Sequence, residues 1–204
     1  VRLDPAALLG GDEGARTILL QLRLPRVLLA ALAGAALAGS GAALQPVLRN
    51  PLASPEILGV SGGAALAAVL GLALMPATLL SAGVLPLLSF AGAAGSSLLV
   101  FRLSHVRGSL DAYTQVLVGV TANTFAAALI LLVQAVADLS RSRSIAFWMM
   151  GGIGIEPWPV VGMAAGLVLL GAAVLVREAR NLDLMSLGDE AARSLGTDAD
   201  AVRI

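Results

Sequence analysis

The chain has 204 residues, of which 58% are apolar and 13% are charged, whereas a soluble domain carries about 25% charged residues. This composition predicts a membrane protein, and the balance of 13 basic against 13 acidic residues gives no excess positive charge for binding nucleic acid. All basic residues are arginine, so the chain has no Walker A lysine, and the absence of cysteine excludes disulfides and thiolate metal sites.

Long uncharged runs predict the membrane spans. A helix of about 20 residues crosses the hydrocarbon core of a bilayer, and the run of 45 uncharged residues from Ile57 to Phe101 is too long for one crossing. We therefore place a turn at Met75–Gly83 within it. The fold class predicted is an all-α, polytopic transmembrane bundle with spans near residues 27–48, 57–75, 84–103, 112–137 and 157–177.

The residues before the first span carry scattered charges and are expected to approach it outside the membrane, over 1–26. The first span itself is rich in small residues such as Gly34, Ala38 and Gly39, a spacing that allows helices to approach closely. None of the spans carries an ionisable side chain away from its ends, which argues against an ion-coupled carrier. Neutral polar residues such as Asn123 either line a passage or bond across helices.

Two prolines within five residues interrupt the apolar pattern after the first span. We name Arg49–Glu56 the proline turn; it ends one helix and starts another. Ser54 and Pro55 are expected at the cap and the first position of the second helix. Spacing alone indicates only a connection between helices.

The last segment of the chain, 181–204, differs from the spans. Apolar and acidic residues alternate at helical spacing, Gly188 interrupts the run and Gly196 ends it, so we predict two short amphipathic helices. Spacing leaves two interpretations open, an anchor in the lipid interface or an element that docks on another protein.

Several ordered blocks resemble one known family. These are Leu22–Arg26, Gly34–Ala42, Gln45, Arg49–Pro55, Leu58–Ala64, Leu117–Val120, Phe147–Gly152, Trp158 and Leu184–Gly196. Together they closely resemble the FecCD-type permeases of ABC importers, which serve ferric siderophores, haem and vitamin B12. The resemblance implies that 1–204 is part of a transmembrane domain that usually has ten helices, here the second to the sixth, truncated at both ends. It also implies a multi-pass protein of a prokaryotic plasma (inner) membrane, with the proline turn, 102–111 and 177–204 cytoplasmic and with 1–26, 75–83 and 138–156 on the outer face.

The resemblance also implies roles for particular residues. Arg23 and Arg26, which we name the arginine pair, would receive acidic groups of a substrate-binding protein at the outer face, although arginines at such a place also anchor helices in the interface. Asn50 and Leu52 would help to close the cytoplasmic mouth, with Tyr113 on its other side. Coupling to the ATPase would fall to Leu184, Leu187, Gly188, Asp189, Glu190, Ala191, Ala192 and Gly196.

The expected protein is a transporter subunit and not an enzyme, with no catalytic residues, no metal site and no cofactor of its own. ATP and Mg²⁺ would bind to two partner ATP-binding subunits. The other expected partners are a second permease copy or homologue, a periplasmic or lipoprotein substrate-binding protein, and membrane lipid, without nucleic acid. Ferric siderophores are the expected cargo, with haem and cobalamin as alternatives. The competing class is an ATP-independent secondary carrier or a membrane scaffold.

Overall fold

The computed structural model describes residues 13–81, 83–106, 109–110, 112–188 and 194–195. Its strands β1 (His105–Val106) and β2 (Ser109–Leu110) pair in antiparallel register. Its helical elements are α1 (Glu13–Thr17), a π-helical segment (Ile18–Arg23), α2 (Leu24–Leu48), a 3-10 helix (Pro55–Leu58), α3 (Val60–Leu74), α4 (Ala77–Ser81), α5 (Val84–Leu103), α6 (Ala112–Val136), α7 (Leu139–Met149) and α8 (Trp158–Ser186). The predicted all-α bundle is confirmed, with one short β-ribbon between α5 and α6.

The chain forms two compact units. Unit 1 combines Val1–Gly39 with Gly152–Arg177, and unit 2 combines Ser40–Gly151 with Glu178–Ile204. Helices α2 and α8 each contribute residues to both units. Unit 1 therefore holds the arginine pair, and unit 2 holds the proline turn and helices α3 to α7.

Among the residues that the structure describes, four stretches of helix are long and apolar enough to cross a membrane: Glu13–Leu48, Val84–Leu103, Tyr113–Val136 and Trp158–Ser186. Helix α3 has 15 residues and reaches about 22 Å, at roughly 1.5 Å per residue. An apolar helix thus overlaps each of the five predicted spans, and α8 extends past the predicted end of the last one. The most apolar windows of the four long stretches are only 0% to 17% buried, which leaves their side chains to lipid or to other subunits.

Residues 13–26, expected as an approach to the first span, are themselves helical and continue into α2 without a break. The whole stretch Glu13–Leu48 has 36 residues and reaches about 54 Å. That length exceeds the roughly 30 Å of a hydrocarbon core, so this helix extends beyond the apolar layer.

Helix α3 lies at the centre of unit 2, where it packs against α5, α6 and α7. Ala68 and Val69 are fully buried, and Val69 forms a core cluster with Ala73, Ile130 and Ile145. The backbones of α3 and α5 approach closely, because a Cβ atom at Gly92 would overlap the carbonyl oxygen of Gly63. Small residues therefore set the spacing of these two helices.

Helix α7 was not predicted, since residues 138–156 were expected to form a connection. It begins at a side-chain cap: the Asp138 carboxylate accepts hydrogen bonds from the backbone N–H groups of Ser140 and Arg141, at 3.1 and 3.0 Å. These bonds, led by the one from Arg141, stabilise the charged form and lower the pKa of Asp138. The apolar residue Ile145 is fully buried and fixes the helix to the core of unit 2.

We expect Gly92→Ala in the full-length protein to lower the free energy of unfolding by about 1–3 kcal/mol, because the added methyl group overlaps α3. The measurement is the midpoint of thermal unfolding in detergent. Gly95→Ala is the matched control, since Gly95 lies on the same helix and has no atom of the described residues within 4 Å of an added Cβ. Equal midpoints for the two variants would contradict this packing.

Candidate functional site

The proline turn begins with a well-formed helix end. The N–H of Arg49 donates to the carbonyl of Pro46 at 3.3 Å, and the N–H of Asn50 donates to the carbonyl of Gln45 at 3.0 Å. Arg49 has a φ of 49°, so this is the Schellman arrangement that closes helices, here without the usual glycine. The end of α2 is therefore fixed in geometry before the chain turns.

Asn50 organises the next residues with its own side chain. Its Oδ1 accepts a hydrogen bond from the N–H of Leu52 at 2.9 Å, and its carbonyl accepts one from Ala53 at 3.0 Å. Ala53 is buried, whereas Leu52 is 82% exposed. The turn thus presents an apolar side chain outward on a backbone that Asn50 holds in place.

The second half of the proline turn leads into the 3-10 helix. Pro55 occupies its first position, as predicted, and Ser54 precedes it in extended conformation. Ser54 therefore occupies the cap position, as predicted, but within the described residues its side chain makes no capping hydrogen bond to the helix. Gly59, with a φ of 77°, joins the 3-10 helix to α3 in a left-handed conformation that a side chain would strain.

Two side chains from other helices hold this junction. Asn123 of α6 donates from Nδ2 to the carbonyl of Glu56, and its Oδ1 accepts the N–H of Gly62 at 3.0 Å. Ser96 of α5 donates to the carbonyl of Gly59 at 2.8 Å. Asn123 therefore bonds across helices, one of the two roles that the sequence left open. Its partners could not be predicted, since they are backbone groups more than 60 residues away.

Tyr113 lies in the first turn of α6 and is 78% exposed. Six residues later, Gly119 packs so closely under the carbonyl of Ile57 that a Cβ atom would overlap it. The first turns of α6 therefore lie at the end of unit 2 that carries the proline turn. The structure brings the predicted residues Asn50, Leu52 and Tyr113 to this same end.

The arginine pair lies where the first helix changes its winding. Arg23 is the last residue of the π-helical segment, and Arg26 follows in the first turn of α2, with the buried Pro25 between them. The Arg26 guanidinium donates from Nε to the carbonyl of Ile153 at 2.6 Å. The Trp158 indole donates from Nε1 to the carbonyl of Leu20 at 3.1 Å. Residues near 153–158 thus bond to the helix on both sides of Pro25.

The C-terminal segment differs from its prediction. Residues 182–186 do not form a separate short helix but continue α8, which runs from Trp158 to Ser186. No glycine or proline lies between 172 and 187 to interrupt the helix, and Gly188, two residues after its end, has a φ of 106°. Leu184 is partly buried and Leu187 is 64% exposed. The predicted coupling residues Asp189, Glu190, Ala191, Ala192 and Gly196 lie outside the described residues.

No group of three or more metal-ligating side chains occurs among the residues that the structure describes. The candidate sites described so far are therefore polar turns and helix ends, whose chemistry is hydrogen bonding and charge pairing.

A bundle of long apolar helices joined by short turns defines a multi-pass membrane protein. Its fold matches that of a solved metal-chelate type ABC transporter in an inward-facing conformation, with a TM-score of 0.82 and 28% identity, over 100% of this chain and 62% of that one. A model of the FecCD transport family matches residues 4–204. The chain belongs to the FecCD transport family, as its sequence motifs predicted.

Two curated relatives extend the comparison. The chain is 42% identical over 193 residues to the achromobactin transport system permease protein CbrC of Dickeya dadantii, covering 94% of this chain and 54% of the relative. It is 37% identical over 196 residues to the cobalamin import system permease protein BtuC of Halobacterium salinarum, covering 95% of this chain and 52% of the relative. The chain thus spans about half the length of these relatives.

We expect Asn123→Leu to release the junction between the 3-10 helix and α3. Loss of both bonds leaves two backbone groups without their partner and lowers the free energy of unfolding by about 1–2 kcal/mol. Hydrogen exchange at the Gly62 amide should become faster. Thr124→Val is the matched control, since the Thr124 hydroxyl donates to Val120 of its own helix. Unchanged exchange at Gly62 in the Asn123 variant would contradict the assignment.

Proposed function

We propose that this chain belongs to the transmembrane permease subunit of a binding-protein-dependent ABC importer. The proposal rests on the match between residues 4–204 and the model of the FecCD transport family. The fold, which is similar over the whole length of this chain to that of a metal-chelate type ABC transporter, supports it. The subunit moves a solute across a prokaryotic inner membrane and catalyses no reaction itself. Its orientation follows the family, with the proline turn on the cytoplasmic side and the arginine pair outside.

The energy for transport comes from other chains in this proposal. This chain contains no lysine and hence no Walker A loop, and its predicted spans have no ionisable group away from their ends to carry a coupling proton. ATP and Mg²⁺ therefore bind to two partner subunits. A second copy of the permease, or a homologue, completes the passage, and the exposed apolar faces of the long helices suit contact with both that copy and lipid.

Closure of the cytoplasmic mouth is assigned to Asn50, Leu52 and Tyr113. The support is geometric: Leu52 and Tyr113 are both largely exposed at the same end of unit 2, and Asn50 holds the turn that carries Leu52. An exposed leucine and tyrosine can bury apolar surface against the same residues of a second copy. The closure then opens when the two copies move apart.

The proposed cargo is a ferric siderophore. Relatives carry names for transport of achromobactin, Fe(3+) dicitrate and iron(3+)-hydroxamate, and others for hemin and cobalamin. The solutes in these names are bulky and contain a metal. A neutral passage suits such a cargo, because it does not bind the cargo tightly. Haem and cobalamin are the alternatives. A screen of the cognate binding protein against the three classes decides among them.

An ATP-independent carrier or scaffold is the competing class. Purification distinguishes it from an importer, because a full-length carrier or scaffold would purify without a nucleotide-binding subunit. Recovery of such a subunit, with ATP-dependent uptake in reconstituted vesicles, supports the importer. Its absence from every preparation that transports would overturn the importer.

The arginine pair gives the first functional prediction. We expect Arg23→Glu with Arg26→Glu in the full-length protein to weaken docking of the binding protein about tenfold, since two exposed ion pairs become repulsive. Basal ATPase activity of the permease–ATPase complex stays unchanged. Arg143→Glu reverses a charge on the same proposed face outside the pair and serves as the control. Unchanged docking by the double variant would refute the assignment.

The end of α8 gives the second functional prediction. We expect Gly188→Pro to lower the uptake achieved per ATP hydrolysed, or to prevent assembly with the ATPase. Proline cannot adopt a φ of 106° and lacks the N–H that donates to Met185 at 3.1 Å. Gly188→Asn keeps that N–H and tolerates positive φ best among other residues, so it should retain most coupling. Normal coupled transport by the proline variant would rule out a coupling role for this segment.

A further inference from the structure

The wide turn in the first helix follows from Pro25. In an α-helix, the ring of Pro25 would clash with the carbonyl of Gln21, four residues earlier. The helix avoids the clash by widening, and the N–H of Leu24 bonds to the carbonyl of Leu19, five residues back. This is the hydrogen bond of a π-helix, a form that occurs as single wide turns and often at functional sites.

The wide turn leaves one carbonyl without its backbone donor. In the π pattern, the carbonyl of Leu20 would accept from the N–H of residue 25, and proline has none. The N–H that would serve Leu20 in an α-helix belongs to Leu24, which bonds to Leu19 instead. The indole N–H of Trp158 donates to the Leu20 carbonyl at 3.1 Å. Trp158 thus supplies the bond that Pro25 cannot make.

The arginine pair lies astride this arrangement. Arg23 is the last residue of the wide turn and Arg26 comes after Pro25, so the bond from Trp158 to Leu20 holds the turn that ends at Arg23, and the bond to Ile153 holds Arg26 itself.

A tryptophan at a helix start has a simpler explanation as an anchor at the membrane interface, where its N–H bonds to water or lipid. Here that N–H bonds to a backbone carbonyl 138 residues away. The Arg26 guanidinium bonds to Ile153, five residues before Trp158. These two bonds come from one short stretch of chain and reach the first helix on either side of Pro25. Together they hold the first helix against that stretch.

We infer that Trp158 is a positioning residue for the arginine pair: its bond to Leu20 holds the wide turn at Ile18–Arg23 in place, and so sets how Arg23 meets the acidic surface of a binding protein, whereas Arg26 has its own bond to Ile153. The inference rests on the proposed docking role of the pair and adds to it a residue outside the docking surface. Trp158 then acts on docking only through Arg23.

The test is a double-mutant cycle on docking of the cognate binding protein to the full-length permease–ATPase complex in nanodiscs. Trp158→Phe keeps the ring and removes the N–H. We expect it to weaken docking about two- to fivefold, the range that one exposed ion pair contributes. In an Arg23→Ala background, Trp158→Phe should have no further effect. Trp148→Phe, on α7, is the control for loss of an indole elsewhere, and basal ATPase activity reports intact assembly.

The outcomes separate the two ideas. If Arg23→Ala and Arg26→Ala leave docking unchanged, both the docking role and this inference fail. If they weaken docking while Trp158→Phe has no effect, or an equal effect in both backgrounds, only the positioning role fails. Should Trp158→Phe not assemble, Pro25→Ala tests the same point, since it restores an N–H at residue 25. It should alter docking when Arg23 is present and not when Arg23 is alanine.

Discussion

A peptide group in an apolar layer needs a hydrogen-bond partner from the protein, because no water is present to supply one. An unbroken helix meets this need by itself, and the long helices of this chain do so. Function, however, requires places where the helices bend, stop and start again. In the described structure, side chains that bond to the backbone hold several of these places, and some of those side chains come from distant parts of the chain.

The same solution recurs with different chemistry. The Trp158 indole donates to the carbonyl that Pro25 leaves without a backbone donor. The Asn123 amide bridges the 3-10 helix and α3, and the Asp138 carboxylate caps α7. Bonds of this kind explain how the proline turn can be irregular and still well defined.

Much of this fold could be predicted from the sequence, because charges mark where a chain leaves the apolar layer. The spacing of charged residues led to helices in the right places, and the prolines marked the turn after α2.

The wide turn at Ile18–Arg23 was not predictable from spacing, since its cause is one proline and its support is Trp158, far along the chain. Helix α7 was missed because polar residues such as Arg141 and Arg143 hide its single buried residue, Ile145. The extension of α8 to Ser186 was missed because a change from apolar to amphipathic residues does not itself end a helix. For the candidate site, the motif residues were visible, whereas the bonds that hold them depend on tertiary contacts of Asn123 and Ser96.

The depth at which α3 begins determines which hydrogen bonds hold unit 2 together there. Gly59 lies against Ala122, ten residues after the first residue of α6, which corresponds to about 15 Å along that helix. The 3-10 helix and the end of the proline turn therefore occupy depth that the neighbouring helices fill with continuous hydrogen-bonded turns. Shape there is maintained by three side-chain bonds in place of a helical ladder. The shape of unit 2 at this level thus depends on bonds between helices, whereas α5 and α6 are held there by bonds within each helix.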